Sequence, residues 1–194
     1  MGTDIHPVVQ ARVEGRWVDV LPPAHVLDAL TARCYPLFAV LANVRNGYGF
    51  AGVHTHEPLD PIAEPRGFPP DFEIHAGSYH GAYAGKWWRL GDPLGEYMGE
   101  NDFSWVSLAD LDAYDWAQPL RRGGKAHKSA TFDANGRPSE WCGDVWGSTA
   151  HEYRTHTWTE PLADVVKGFH DDVLPWLRML GPPDDVRLVF GFDY

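Results

Sequence analysis

The start of the chain alternates apolar and polar positions in the manner of a β-hairpin. Side chains two residues apart on a strand share a face. This places Ile5, Pro7, Val9, Ala11 and Val13 on one face and His6, Val8, Gln10 and Arg12 on the other. Glu14-Gly15-Arg16 supplies a turn into a second strand over residues 17–20. Because proline donates no backbone N–H, Pro7 should lie at a sheet edge or at a bulge.

Further along, apolar residues recur at helical spacing in two places. The first predicts a helix over residues 35–45 that is closed by Gly47, with a shorter helix near residues 25–31 before it. The second predicts a helix that begins at Thr159-Glu160-Pro161 and is kinked or split at Pro175. Its apolar stripe consists of Leu162, Val165, Val166, Phe169, Val173, Leu177 and Leu180.

The remaining elements complete an α+β pattern. Ser107 followed by Asp110 is typical of a helix N-terminus and predicts a short helix to about residue 115. Residues 132–137 are typical of a turn between short strands, and residues 186–193 of a buried terminal strand. A long loop-rich region is predicted at about residues 46–101. We therefore expect a single α+β domain with a mainly antiparallel sheet, a few packed helices and long loops.

The charge of the chain restricts its partners. Its 194 residues suit one domain, and its formal net charge is −11. A general nucleic-acid binder needs a basic face to displace counterions from phosphate, so that class is disfavoured. The charge still permits a local basic pocket for a small anionic substrate, or an acidic surface that docks on a basic partner protein. A role in solubility alone is the simplest interpretation.

The cysteines and the chain start bear on location. Cys34 and Cys142 fit neither a disulfide framework nor a CxxC metal pair, which favours a reducing compartment. The chain start lacks a basic and apolar signal sequence, and no apolar run approaches the roughly 20 residues of a membrane span. We therefore expect a cytoplasmic protein that does not bind membranes, and the oligomeric state stays open.

Asp4-Ile5-His6 is the sharpest local candidate for chemistry. On a strand, the Asp4 carboxylate and the His6 imidazole would point the same way, a pairing that suits a divalent Zn, Mn or Mg ion. If the terminal strand pairs antiparallel with the first strand, Asp193 also comes near and can complete the metal shell. The alternative is a hydrogen-bonded histidine beside a carboxylate, and Asp193 as a plain strand end.

Two turns that contain arginine are candidates for anion binding. Arg45-Asn46-Gly47 closes a predicted helix, and Glu64-Pro65-Arg66-Gly67 lies in the predicted loop region. An arginine beside a glycine lets the guanidinium approach a phosphate or a carboxylate with the backbone close behind. We predict that Arg45 and Arg66 orient a substrate, with Glu64 as a base or as their partner. The alternative is that these charges only fix the loop.

Other clusters have plain structural interpretations. His54-Thr55-His56 has the spacing of a zinc-binding pair on a strand, but a solvated or loop-packing role is the simpler expectation. Exposed tryptophans such as Trp87-Trp88 and Trp141 could stack on bases or anchor a partner, yet tryptophan is usually a core residue. No nucleophile elbow, Walker loop or GxGxxG fingerprint occurs.

Three ordered segments carry a resemblance. They are Met1-Gly2-Thr3-Asp4-Ile5-His6, the run of residues 33–45, and Glu64-Pro65-Arg66-Gly67-Phe68-Pro69. Together they resemble a family of small uncharacterised proteins of bacteria and phages, whose members open MGCDIH and continue RNYxLFxxLAxVR and EPRGLP. A later family segment, HSxSxLTLxEL, is similar to residues 101–111 here.

The chain departs from this family at three motif positions. Thr3 stands for the cysteine of MGCDIH, Cys34 for the asparagine of RNY, and Asn101 for the histidine of the later segment. The last change removes a side chain suited to metal or acid–base chemistry. The resemblance implies kinship and a phage origin rather than a particular reaction.

Two functional hypotheses follow from these residues. The first is a metal-assisted hydrolase acting on a phosphate-containing small molecule or nucleotide, with the ion on Asp4, His6 and Asp193 and the substrate on Arg45 and Arg66. It predicts that these groups meet in one cleft. The second is a non-enzymatic acidic interaction protein, possibly phage-encoded, that binds a host protein.

Overall fold

The computed structural model describes residues 2–72, 101–145 and 147–193, which form an α+β fold with a mainly antiparallel sheet. The strands are β1 (Asp4–Val13), β2 (Arg16–Asp19), β3 (Asn101–Ser107), β4 (Pro119–His127), β5 (Tyr153–Pro161) and β6 (Val186–Asp193). The α-helices are α1 (Ala24–Thr31), α2 (Tyr35–Ala42), α3 (Leu108–Ala113), α4 (Leu162–Val165) and α5 (Leu174–Arg178). A π-helical turn (Phe169–Val173) lies between α4 and α5.

The main sheet has four strands in the order β2-β1-β6-β3, and all its pairings are antiparallel. The predicted pairing of the first and last strands is confirmed, since β1 and β6 run together from Asp4 opposite Asp193 to Ala11 opposite Val186. The two ends of the chain therefore meet at one end of the sheet.

The alternation of apolar and polar residues in β1 correctly predicts which side chains share each face of the strand. Ile5, Val9 and Ala11 belong to the main core, where the helices cover the sheet. Val8 faces the other way and joins a smaller cluster with Val189 of β6. Phe68, Phe72, Phe103 and Trp105 complete that second cluster. The sheet is therefore buried on both faces, which fits the continuous burial of β6 from Val186 to Phe192.

The hairpin between β1 and β2 is confirmed. Its turn places Glu14 at φ 51° and Gly15 at φ 79°, the left-handed conformations that a two-residue hairpin turn requires. The strand β2 pairs only with residues 10–13 of β1. Pro7 therefore lies in the part of β1 that β2 does not reach, where its missing N–H is harmless to this pairing.

A separate two-stranded ribbon is formed by β4 and β5. Its inner residues Leu120 and Trp158 are almost fully buried. An isolated bridge between His56 and Arg122 connects the outer edge of β4 to the loop after α2. The ribbon therefore holds part of the predicted loop region in place.

Two predicted helix limits are wrong. Thr159 and Glu160 belong to β5, and the helical segment begins only at Leu162. The helix over residues 35–45 ends at Ala42, because Asn43 adopts a left-handed conformation (φ 58°) and its N–H bonds the carbonyls of the last turn. The predicted split of the second helix is confirmed, since the π-helical turn separates α4 from α5, which has Pro175 in its first turn.

The region predicted as loop is described only as far as Phe72. Up to that point it contains no α-helix or strand, only a 3-10 turn (Phe50–Gly52) and isolated bridges. The rest of this region, with Trp87-Trp88, lies outside the described residues. Among the helices that are described, none is long and apolar enough to cross a bilayer.

Candidate functional site

One end of the main sheet gathers the residues predicted to hold a metal. Asp4 and Asp193 are direct partners in the β1–β6 ladder, so their side chains lie on the same face. His6 lies one pair further along that face, and its Nε2 is 2.8 Å from Oδ2 of Asp193. The His6 and Asp193 side chains are 31% and 48% exposed, so solvent and small molecules can reach this pair.

Two opposed carboxylates repel each other unless cations are placed beside them. Arg33 supplies one, because its Nε and Nη2 donate to the two oxygens of Asp4 at 2.9 and 2.8 Å. This bidentate hydrogen bond raises the pKa of the Arg33 guanidinium. The partner of Asp193 is the His6 ring, whose Nε2 lies 2.8 Å from Oδ2. The sheet end is thus a compensated pair of acids with an arginine and an imidazole around it.

Arg45 reaches the same end of the sheet. Its Nε donates to Oγ1 of Thr3 at 2.8 Å, and Thr3 is fully buried directly before Asp4. This contact fixes the guanidinium next to the start of β1.

Glu64 is held beside Arg45 by a chain of amides. Its Oε1 accepts from Nδ2 of Asn43 at 2.8 Å, and Oδ1 of Asn43 accepts from Nδ2 of Asn46 at 2.8 Å. Asn46 in turn bonds both the N–H and the carbonyl of Leu59. The carboxylate is therefore positioned by the loop itself.

Arg45 and Glu64 line one cavity of about 460 Å³ together with Asn43 and Asp102. Asn43, Arg45 and Asp102 all have positive φ, at 58°, 56° and 47°. The left-handed region is costly for residues other than glycine, and such residues cluster at functional sites. For Asn43 the helix cap is a sufficient reason, but Arg45 and Asp102 are not part of that cap.

Arg66 lies elsewhere. Its guanidinium carbon is 4.1 Å from the centroid of the Trp105 ring, and its Nη2 donates to Asp110 at 3.1 Å. It lines a different cavity from the one shared by Arg45 and Glu64. The prediction that both arginine turns meet in one cleft is therefore wrong. Arg66 is only two residues after Glu64 in the sequence. Its side chain, however, donates to the carbonyl of Trp105 in β3 and to Asp110 in α3.

The donor set at the sheet end is not arranged as a preformed metal centre. Within the described parts of the chain, no three His, Cys, Asp or Glu side chains form a group that could hold a metal ion. Both oxygens of Asp4 bond Arg33, and Asp193 bonds His6. An ion between the two carboxylates would have to draw Asp4 away from Arg33.

The second histidine pair is structural. Nε2 of His56 accepts the N–H of Gly47 at 3.1 Å, and Nδ1 lies 3.1 Å from Oγ1 of Thr55. His54 instead packs its ring against Tyr48 at 4.3 Å between centroids. The two imidazoles thus have different partners, and the loop-packing interpretation fits both.

Sequence reasoning missed Arg33, which bonds Asp4 at the sheet end, and Asp102, which lines the cavity of Arg45 and Glu64. Arg33 follows α1 and carries no local sign of pairing with Asp4, 29 positions earlier. Asp102 lies at an irregular register in the β3–β6 ladder, between Asn101 and Ser104. Its neighbour Asn101 is opposite Phe192, one residue before Asp193, and this pairing brings β3 to the site.

No family model, curated protein or solved structure matches the chain. The proposals about its function therefore rest on the geometry of the site.

Proposed function

We propose that the protein is a metal-assisted hydrolase that acts on a phosphate-containing small molecule or nucleotide at the sheet end. The observation that supports this most is the direct pairing of Asp4 with Asp193 on one face, with His6 bonded to Asp193. Arg33 already compensates Asp4, and the His6 ring already bonds Asp193. A divalent ion would take the place of Arg33 and neutralise both carboxylates.

The metal would be held by Asp4, Asp193 and His6. Carboxylate oxygens and an imidazole nitrogen are a donor set that Mn²⁺ and Zn²⁺ accept, and Mg²⁺ accepts the carboxylates. Asp4 would have to release Arg33 to bind the ion, and the Arg33 guanidinium would then be a partner for phosphate at the edge of the site. When bound, such an ion would polarise the phosphoryl group and lower the pKa of a bound water.

We also assign the substrate to Arg45 and Glu64, which line a separate cavity beside the start of β1. Arg45, anchored through Nε to Thr3, orients the phosphoryl oxygens. Glu64 would accept a proton from the attacking water as the water oxygen bonds phosphorus, and the ester oxygen would leave with its electron pair and receive that proton back from Glu64. Asn43 holds Glu64 in place by donating to its Oε1. Arg66 takes no part, since its guanidinium stacks on Trp105 and donates to Asp110.

A second candidate is a non-enzymatic acidic protein that binds a basic host protein. The net charge of −11 favours it, because such a charge steers association with a basic surface. Both candidates suit a cytoplasmic protein, since the only two cysteines, Cys34 and Cys142, are both free.

A thermal-shift screen with Mn²⁺, Zn²⁺ and Mg²⁺ tests the proposal, combined with hydrolysis of bis(p-nitrophenyl) phosphate and of a panel of nucleotides. At a metal concentration about 100-fold above Kd, binding to the folded state alone adds roughly 2.7 kcal/mol to the free energy of unfolding and raises Tm. We expect Asp193→Asn to abolish both the metal-dependent rise in Tm and the hydrolysis.

Asp28→Asn is the matched control, because Asp28 is an exposed aspartate on α1 and is not a member of the β1–β6 ladder. It should keep the metal response and the activity. If no ion raises Tm, or if Asp193→Asn responds like the wild type, the hydrolase is excluded. Retention of the protein on a basic partner surface would then favour the second candidate.

A further inference from the structure

Trp17, Arg187 and Asp71 form one wall of a cavity on the face of the sheet opposite the helices. Nε1 of Trp17 donates to Oδ2 of Asp71 at 2.8 Å, and the guanidinium carbon of Arg187 lies 4.0 Å from the Trp17 ring centroid. Arg187 is only 4% exposed and donates to Asp71 at 2.7 Å and to Gln10 at 2.9 Å. The hydrogen bond from Arg187 lowers the pKa of Asp71, so the wall keeps its charges at neutral pH.

Trp105 is the centre of a second wall built in the same way. The guanidinium of Arg66 stacks on its ring and donates to its carbonyl at 2.8 Å and to Asp110 at 3.1 Å. Asp110 is itself fixed, because it accepts the N–H of Ser107 at 2.9 Å within the capping box of α3. Each wall is thus a tryptophan, a stacked arginine and an aspartate that holds the arginine.

Both walls line one cavity of about 630 Å³, in the range of small-molecule sites. Arg12 lies at the same cavity, with its guanidinium carbon 4.6 Å from the Trp17 centroid. Its ion pair with Asp185 is long, at 3.5 Å, and both side chains are more than one-third exposed. Such a pair contributes little to stability, so Arg12 can exchange Asp185 for a ligand at small cost.

We propose that this cavity, between the Trp17 and Trp105 walls, is a binding site for a small planar aromatic anion. A flat ring stacks on indole rings and on guanidinium planes alike. The tethered orientation of both arginines means that little side-chain entropy is lost on binding. Asp71 and Asp110 are engaged by donors, and Asp184 is the third acid that lines the cavity. The anionic group of the ligand would bind the Arg12 guanidinium in place of Asp185.

The ligand can be a nucleotide or an aromatic carboxylate, and the two sources are distinguished by matched probes. In isothermal titration calorimetry we compare AMP with adenosine, and indole-3-acetate with tryptamine. We expect AMP, indole-3-acetate or both to bind with a Kd at least about tenfold lower than that of the matched neutral or cationic probe. The matched probe lacks the anionic group and therefore loses a charge-assisted hydrogen bond. The anion with the lower Kd shows whether the ligand is a nucleotide or an aromatic carboxylate.

Arg12→Gln is expected to raise Kd for the bound anion about tenfold or more. Arg121→Gln is the control, since Arg121 is an exposed arginine that pairs with Glu57 at another cavity. Asp193→Asn should leave this binding unchanged, so failure of the hydrolase proposal does not affect the result. The site is disproved if neither anion binds, if adenosine or tryptamine binds as tightly as its anionic match, or if Arg12→Gln binds as the wild type does.

Discussion

His56 is a buried imidazole whose protonation state is set by its neighbours. Its Nε2 accepts the N–H of Gly47, so the proton of the neutral ring lies on Nδ1, facing Oγ1 of Thr55. Burial lowers the pKa of His56 to about 4, and the charge of Arg122 acts in the same direction. The folded protein therefore holds this ring neutral well below the usual pKa of histidine.

This shift makes stability fall in mildly acidic solution. Above pH 6.5 the ring is neutral in both states, but between pH 6.5 and about 4 the unfolded chain binds a proton that the folded chain does not. As the pH falls through that window, the free energy of unfolding should decrease by at most about 3 kcal/mol. Urea denaturation at a series of pH values measures the slope.

The variant that isolates His56 in this experiment is His56→Gln, whose side-chain oxygen can still accept the Gly47 N–H. It should lose part of the pH dependence between 4 and 6.5, whatever its stability at pH 7. Identical slopes for the wild type and His56→Gln would show that His56 does not carry the effect.

The same residue illustrates what a sequence tells at this scale. The spacing of His54 and His56 is equally compatible with zinc and with loop packing, and the decision comes from Gly47 and Arg122, which only the fold brings near. By contrast, both end segments have a strand pattern, and antiparallel pairing of these strands is enough to predict that Asp193 comes near Asp4. The Asp4 partner Arg33 was not predicted, since nothing local marks it.

Among the elements, those with a local cause were predictable. Ser107 and Asp110 form the expected reciprocal capping box at the start of α3. The predicted start of the second long helix is wrong because Glu160 belongs to β5. There the carboxylate is 6% exposed and accepts from Arg122, Arg137 and the Trp158 indole, contacts that no local pattern encodes. These contacts and the pairing of β5 with β4 outweigh the local preference of Thr159-Glu160-Pro161 for a helix start.

The ribbon of β4 and β5 offers a prediction about close packing. A Cβ added to Gly124 would lie 2.5 Å from the Trp141 ring and 2.9 Å from the Cys142 carbonyl oxygen. Cys142 is backbone-bonded to Lys125 in both directions, so this contact cannot easily open. Gly124→Ala should therefore lower the free energy of unfolding by about 1–3 kcal/mol.

Gly123 is the matched control one residue earlier on the same strand. Its added Cβ would meet only ordinary contacts, with the His156 carbonyl oxygen at 3.7 Å and the Thr157 methyl at 3.8 Å. Gly123→Ala should be neutral or stabilising by up to about 1 kcal/mol, because alanine restricts the unfolded chain. Equal losses in the two variants, measured by chemical denaturation, would contradict the role given to Trp141.

For the whole molecule, the two sheets share one hydrophobic core. Leu120 of β4 belongs to the same buried cluster as Ile5 of β1 and Phe190 of β6. Leu162, directly after β5, and Phe169 extend this cluster under the sheet. Since an isolated two-stranded ribbon is marginally stable in water, we infer that β4 and β5 depend on this core for their stability.

It follows that the ribbon and the main sheet should unfold together. We expect far-UV circular dichroism and tryptophan fluorescence to give one coincident urea transition, the behaviour of a two-state domain. Native-state hydrogen exchange is the sharper measurement, because the amides of β4 and of the β1–β6 ladder should exchange with the same free energy of opening. Two separate transitions, or a ribbon that opens several kcal/mol more easily than the β1–β6 ladder, would mean that Leu120 and Leu162 do not couple the sheets and that the ribbon is an independent unit.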